Sequence, residues 1–265
     1  ETVMSGKYRV TLILLLAAAF YVGALFAIYE LRSERAAGRA EPVAAEALAE
    51  GAAAEEVAEE PQTETEPQTE SEPEPEAEPT GPVIALTFDD GPNDEVTVPL
   101  IAGLCERGVP ATFFVLGKQA QEYPEIIAQM HAAGDEVDIH GWDHKNRLPD
   151  LSDEALQEEI FKSKEAVYQA IGIDPLYLRP PYGTIDQATA AKIEMPMMLW
   201  NVDPRDWEVR DADKIKQHIV DNAFDGAVVI LHDAYQTTLD GVLAAVDELK
   251  RQGYRFVTLE EYYRH

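Results

Sequence analysis

VIALTFDDGP, residues 83–92, is the stretch on which the fold turns. Val83–Phe88 is an apolar, β-favouring run too short for a helix, and it stops at two acids and a Gly-Pro turn. The same pattern returns along the chain, with β-rich runs at Thr112–Leu116, Glu136–Ile139, Leu176–Leu178, Met198–Val202, Ala227–Leu231 and Arg255–Thr258. Helical patterns separate most of them, over Val98–Arg107, Pro124–Ala133, Ser152–Ile171, Asp213–Phe224 and Leu239–Gln252, several closed by glycine (Gly108, Gly134, Gly172, Gly253). Strands alternating with helices predict an α/β protein with a parallel sheet. Right-handed crossovers let such units stay open or close on themselves, and seven strands in under about 190 residues favour a small, deformed seven-stranded (β/α) barrel.

The polar residues reinforce that reading, because they follow the strands. Asp89-Asp90 follow the first run, His140 and His144 the third, Arg179 the fourth, Asp203 and Asp206 the fifth, and His232-Asp233 the sixth. In a parallel barrel these loops share one face, at the C-terminal ends of the strands, where barrel enzymes build their sites. Each cluster has an ordinary reading beside a functional one. Asp89-Asp90 are a turn-forming pair, or two carboxylates that leave the strand in different directions, one to bind a cation and one to accept a proton. A single helical turn at HGWDH would bring His140 and His144 to one side, and with Asp90 they would form a two-His, one-Asp metal set with open positions; otherwise they are two solvated histidines. Asp143 between them reads as surface. Arg179 in LRPPYG is a structural ion pair, or the group that holds Asp89 ionised and aimed. Asp203, Asp206 and Trp207 in NVDPRDW also read as an N-cap, an ion pair and a core aromatic, and His232 as either a tunable strand-end histidine or a satisfied core one. His131, His218 and His265 read as surface residues, and Cys105 as core packing beside Leu100, Ile101 and Leu104.

Outside this region the chain changes character. Val10–Tyr29 is twenty residues without a charge, the length a helix needs to span the ~30 Å hydrocarbon layer, and predicts a transmembrane anchor rather than a shorter cleaved signal. It follows a short tail, 1–9, expected in the cytoplasm, which leaves the bulk of the chain outside. Residues 30–81 are rich in Glu, Pro, Ala and Thr and predict a disordered, extended spacer; residues 40–80 carry 14 Glu and no Lys, Arg or Asp. The formal net charge is −29, and residues 82–265 alone hold 33 acidic against 16 basic side chains, which excludes nucleic acid as a partner. One cysteine excludes an intrachain disulfide framework.

Taken in order, TFDDGP (87–92), HxxxH (140–144), RPPYG (179–183), DPRDW (203–207) and LHD (231–233) resemble the five motifs of the polysaccharide deacetylases, carbohydrate esterase family four, also called the NodB-homology domain. The resemblance covers nearly all of 82–265 and implies a deformed barrel that removes acetyl groups from N-acetylated sugars with one divalent metal ion. Zinc is the first expectation, with cobalt, nickel or iron as alternatives. Carried over by position, Asp90, His140 and His144 would ligate the metal and Asp89 would be the base, oriented by Arg179. His232 would be the acid, oriented by Asp206; Tyr182 would offer its backbone N–H to the oxyanion, and Trp207 and Leu231 would wall the acetyl pocket. The family usually has Ser or Thr after the first metal histidine, where this chain has Gly141, so the loop loses a hydroxyl that could brace it. The expected partner is a polysaccharide, peptidoglycan or another N-acetylglucosamine polymer, in a bacterial cell envelope. O-acetyl esterase activity on a xylan-like polysaccharide and glycan binding without turnover are the alternatives. The sequence leaves the oligomeric state open.

Overall fold

In chain order the elements are β1 (Val83–Asp89), α1 (Thr97–Glu106), β2 (Thr112–Val115), α2 (Gly117–Glu122), α3 (Pro124–Ala133), β3 (Glu136–Ile139) and α4 (Asp153–Ile171). They continue with α5 (Gln187–Ala190), α6 (Asp206–Val209), α7 (Ala212–Asp221), β4 (Ala227–His232), α8 (Gln236–Arg251), β5 (Arg255–Phe256) and α9 (Leu259–Arg264). They belong to a computed structural model that describes residues 81–264; the tail 1–9, the expected span at Val10–Tyr29, the linker up to Thr80 and His265 lie outside the described residues. Among the described residues no helix is long and apolar enough to cross a membrane.

The sheet is parallel, ordered β3-β2-β1-β4 with β5 also on β1. Two of the seven expected strands, Leu176–Leu178 and Met198–Val202, are not strands but isolated parallel bridges, Ile139 with Leu178, Leu178 with Met197, and Val202 with Val229. These bridges carry the pairing from β3 round to β4. Composition explains the thin pairing. Pro196 and Pro204 bring no N–H, and the side chain of Asn201 replaces part of the ladder by accepting the N–H of Val228 at 2.7 Å. The fifth strand is also shorter than expected, Arg255–Phe256, because Leu259 already opens α9.

Alternation along each strand divides the protein into two layers. Ile84, Leu86 and Phe88 of β1, Phe113 and Val115 of β2, Val137 and Ile139 of β3 and Ala227, Val229 and Leu231 of β4 belong to the main core with the helices. Each such large side chain contributes about 1.5–3 kcal/mol through burial. The alternate residues form the other face. Ala85, Phe114 and Val228 pack with Leu259, Tyr177, Met198 and Trp200, and the buried polar groups Thr87, Asp89, Thr112, Asp138 and His140 stand in the same alternating rows. The helix that closes over β3, α4, begins at a Ser152 cap that accepts the N–H of Ala155 at 3.3 Å.

A pair of acids occupies the start of β3 on the inner face. Asp138 accepts the N–H groups of Leu176 and Tyr177 at 2.8 and 2.9 Å, and Glu136 accepts Thr112 Oγ1 at 2.7 Å and the N–H of Glu260 at 3.0 Å. Burial and the neighbouring Glu136 push Asp138 well above the usual carboxylate range, and burial also raises Glu136.

Candidate active site

Asp89 and His232 end adjacent parallel strands as register partners, which brings two side chains 143 positions apart in the chain to one rim. Asp89 is 1% exposed. Its Oδ1 accepts Arg179 Nη1 at 2.7 Å, and the same guanidinium donates to Thr87 Oγ1 at 2.7 Å and to the carbonyls of Met198 and Leu199 at 3.2 Å. Arg179 is fully buried, its guanidinium 4.1 Å from the centre of the Phe114 ring. A buried guanidinium held by this many acceptors fixes the direction of the carboxylate.

Beside Asp89 stand the two histidines. His140 Nδ1 faces the carbonyl of Arg179 at 2.8 Å, an acceptor, so Nδ1 carries the proton and Nε2 presents its lone pair. Burial lowers the pKa of His140 despite Asp89 and Asp90, which keeps the ring neutral. His140 Nε2 is 3.7 Å from Asp90 Oδ1, and His144 Nε2 is 4.0 Å from the same oxygen. The segment between the histidines is a loop rather than the helical turn expected from their spacing. Gly141 has φ +80° and His144 φ +56°, and the loop still brings the two rings to 5.0 Å between centres. Asp143, expected on the surface, is partly buried, with its side chain 17% exposed, and pairs with Lys145.

The three groups suit a divalent cation. One ligand atom from each of Asp90, His140 and His144 lies within 4.8 Å of the others, and Asp90 Oδ1 is buried with no hydrogen-bond partner among the described residues. Two imidazole nitrogens and a carboxylate oxygen are a donor set for zinc and its first-row neighbours.

Across the same cavity His232 donates Nδ1–H to Asp206 Oδ1 at 2.8 Å. Asp206 is fully buried and also accepts the backbone N–H of His232 and Thr238 Oγ1, at 2.8 and 2.7 Å. Burial opposes an imidazolium at 232, but the hydrogen bond and charge of Asp206, with Asp89 and Asp90, outweigh it and raise the pKa to about 9. Behind His232, Asp233 is buried, accepts Thr97 Oγ1 at 2.5 Å and is raised to about 7 by that burial. It lies against Gly91, where a Cβ would stand 2.1 Å from Asp233 Oδ2.

The cavity, about 540 Å³, is lined by these groups and by Tyr182, Trp200, Asp203, Trp207, Ile230 and Tyr235. Trp207 is 47% exposed, a wall of the cavity rather than a core aromatic. Leu231 is not part of the lining. It points to the opposite face of β4 and packs in the main core, while Ile230, two residues before His232, shares the cavity face. Tyr182 has φ +62°, and its ring lies 4.2 Å from that of His144. Cys105 is half-buried at the edge of α1, and His131 and His218 are exposed. Tyr235, Trp200 and Ile230 carry no motif of their own. Ile230 was findable by counting back two from His232, and Tyr235 by its place in the loop that follows β4.

The profile of the family described as polysaccharide deacetylase matches residues 76–197. Peptidoglycan-N-acetylglucosamine deacetylase PgdA of Listeria monocytogenes is 39% identical over 183 residues, 68% of this chain and 38% of the relative, so the chain spans well under half of that protein's length. A peptidoglycan-N-acetylglucosamine deacetylase of Bacillus cereus is 35% identical over 191 residues, 69% of this chain and 89% of the relative. The solved structure of peptidoglycan deacetylase PdaC from Bacillus subtilis superposes with a TM-score of 0.68 at 36% identity, covering 71% of this chain and 92% of that one. With the five clusters assembled around one cavity, and with the Bacillus cereus relative and the PdaC structure each matched over about nine-tenths of their length, the chain belongs to the polysaccharide deacetylase family.

Proposed function

We propose that the chain is a metal-dependent deacetylase of bacterial cell-wall glycan, removing acetyl groups from N-acetylglucosamine or N-acetylmuramic acid units of peptidoglycan. In this reading Val10–Tyr29 anchors it in the membrane and residues 30–81 hold the domain out toward the wall. The observation that carries the activity is the pairing, across one cavity, of an arginine-held carboxylate beside a two-His, one-Asp set with a carboxylate-held histidine.

Asp90, His140 and His144 would hold a divalent ion, zinc foremost, which would supply Lewis acidity toward the acetyl carbonyl and the attacking water. Asp89, aimed by Arg179, takes a proton from the attacking water. The backbone N–H of Tyr182 donates to the oxyanion that forms at the carbonyl carbon. His232 then passes its Nε2 proton to the leaving amine, while Asp206 keeps the ring oriented and favours its protonated form before transfer. Ile230 and Trp207 offer apolar surface to the acetyl methyl. No side chain of this set needs to act as a nucleophile.

The test is acetate release by the full chain from peptidoglycan and from N-acetylglucosamine oligomers, before and after chelation, with Asp89→Asn alongside. Release lost on chelation, restored by a divalent metal and abolished in the variant is the expected result. No release from either glycan by the metal-loaded chain, with release from acetylated xylan, refutes the substrate assignment.

A further inference from the structure

The loop that carries the two histidines is anchored from outside. Gly117 donates its N–H to the carbonyl of Gly141 and Lys118 to that of Trp142, both at 2.9 Å, and Tyr182 Oη donates to the carbonyl of His144 at 2.8 Å. Those three contacts satisfy carbonyl groups. The amide of Trp142, between the histidines, goes instead to a side chain on α4, donating to Glu159 Oε1 at 2.8 Å. The same oxygen lies against residue 141, where a Cβ would stand 3.1 Å from it and 3.3 Å from Pro181 Cγ. Gly141, with φ +80°, thus lets the loop take a path that few L side chains adopt and leaves room for the carboxylate to reach the next amide.

We propose that Glu159 is the positioning residue of the metal-binding loop. By accepting the N–H of Trp142 against the bare α-carbon of Gly141, it sets the spacing of His140 and His144 and so the affinity of the site for a divalent ion. The inference rests on the functional reading above, in which those histidines and Asp90 hold the ion. Glu159 is 17 residues from Trp142 and touches no ligand atom in the contacts described, so its effect passes through the loop backbone. Groups that orient metal ligands from behind typically govern about 10–100-fold in metal affinity.

The experiment is a zinc titration of the metal-free full chain against a chromophoric chelator, with Glu159→Ala and Glu159→Gln alongside and the melting of each metal-free protein recorded. The alanine variant is expected to bind zinc about 10–100-fold more weakly, whereas glutamine, which keeps an acceptor oxygen at the same reach, stays within about threefold of the parent. Melting of the metal-free proteins should agree, because the position is half-exposed on a helix that alanine favours. Unchanged zinc affinity in Glu159→Ala overturns the proposal, whether or not melting shifts. Equal weakening in both variants overturns it too, since the hydrogen bond then is not what matters. If the alanine variant does not fold, Glu159→Asp, one methylene short of the amide, takes its place with the same expected weakening. A parent chain that binds no zinc, cobalt or nickel refutes the metal-site reading itself and the inference with it, a result distinct from unchanged affinity in a variant.

Discussion

Replacing Asp206 by asparagine removes the charge that governs His232, while it also sets an amide NH2 against one of the donors that the carboxylate accepts. Burial alone would hold His232 below the ordinary histidine value of about 6.5. Asp206, through its 2.8 Å hydrogen bond and its charge, with help from Asp89 and Asp90, lifts it to about 9. Asparagine keeps the volume and a carbonyl oxygen for the histidine but removes the negative charge, so burial prevails and the midpoint falls by two units or more. A shift of that size corresponds to roughly 3 kcal/mol. Because the folded value lies above the unfolded one, His232 contributes its full stabilisation below the unfolded value, and the contribution is lost as pH rises through about 9. The variant lacks it throughout. The assay is an NMR titration of the His232 ring in the chelated chain, read beside thermal melting at each pH. A parent midpoint at or below the ordinary histidine value, or one midpoint shared by parent and variant, would refute the reasoning.

The opposed faces of β4 separate stability from activity. Leu231→Ala should cost about 2–5 kcal/mol in unfolding free energy and leave kcat/KM of the folded fraction near that of the parent, whereas Ile230→Trp, which fills the cavity, should abolish acetate release even by the folded fraction. Melting and steady-state kinetics on both variants decide it. Gly91→Ala drives a Cβ into Asp233, and the displaced turn should weaken metal uptake and lower the melting temperature; a parent-like variant in both measurements counts against the packing described. Asp138→Asn keeps the acceptor for Leu176 and Tyr177 and supplies a donor toward Glu136. Since the raised Asp138 costs stability as pH rises above the unfolded carboxylate value, the variant's melting should depend less steeply on pH above that value, and an unaltered slope contradicts the buried-acid reading.

Most of the architecture can be read from runs such as VIALTF, because a β-branched stretch that ends abruptly in acids marks both a strand and the rim to which it delivers them. The polar half of β1 was legible too, in the alternation of Ala85, Thr87 and Asp89 with Ile84, Leu86 and Phe88. Leu231 was misplaced because Val228–Leu231 is uniformly apolar and gives no internal sign of its faces; the polar residue that sets the phase, His232, comes after it. The His140–His144 spacing fits a helical turn and a loop equally well, and only the positive φ of Gly141 and His144 distinguishes them. The bridging segments at Leu178 and Val202 read as strands because pairing depends on Pro196, Pro204 and the side chain of Asn201, which local propensity does not weigh. Glu159 is invisible in the sequence, since its role exists only once α4 docks beside the loop.

Arg179 belongs to a segment joined to the sheet through the bridges of its neighbour Leu178, yet its guanidinium aims Asp89, the base of the proposed reaction, and its carbonyl orients His140, a ligand of the proposed metal site. Base and ligand are therefore assembled by the same event, the closure of the ring at Leu178. A chain with that seam open would have neither an Asp89 held by Arg179 nor a proton fixed on His140, and under the proposed function it would neither hold the metal well nor hydrolyse the acetamide. In the function proposed above, the chemistry of this chain would thus depend on closure of the ring at Leu178 and not on any one strand alone.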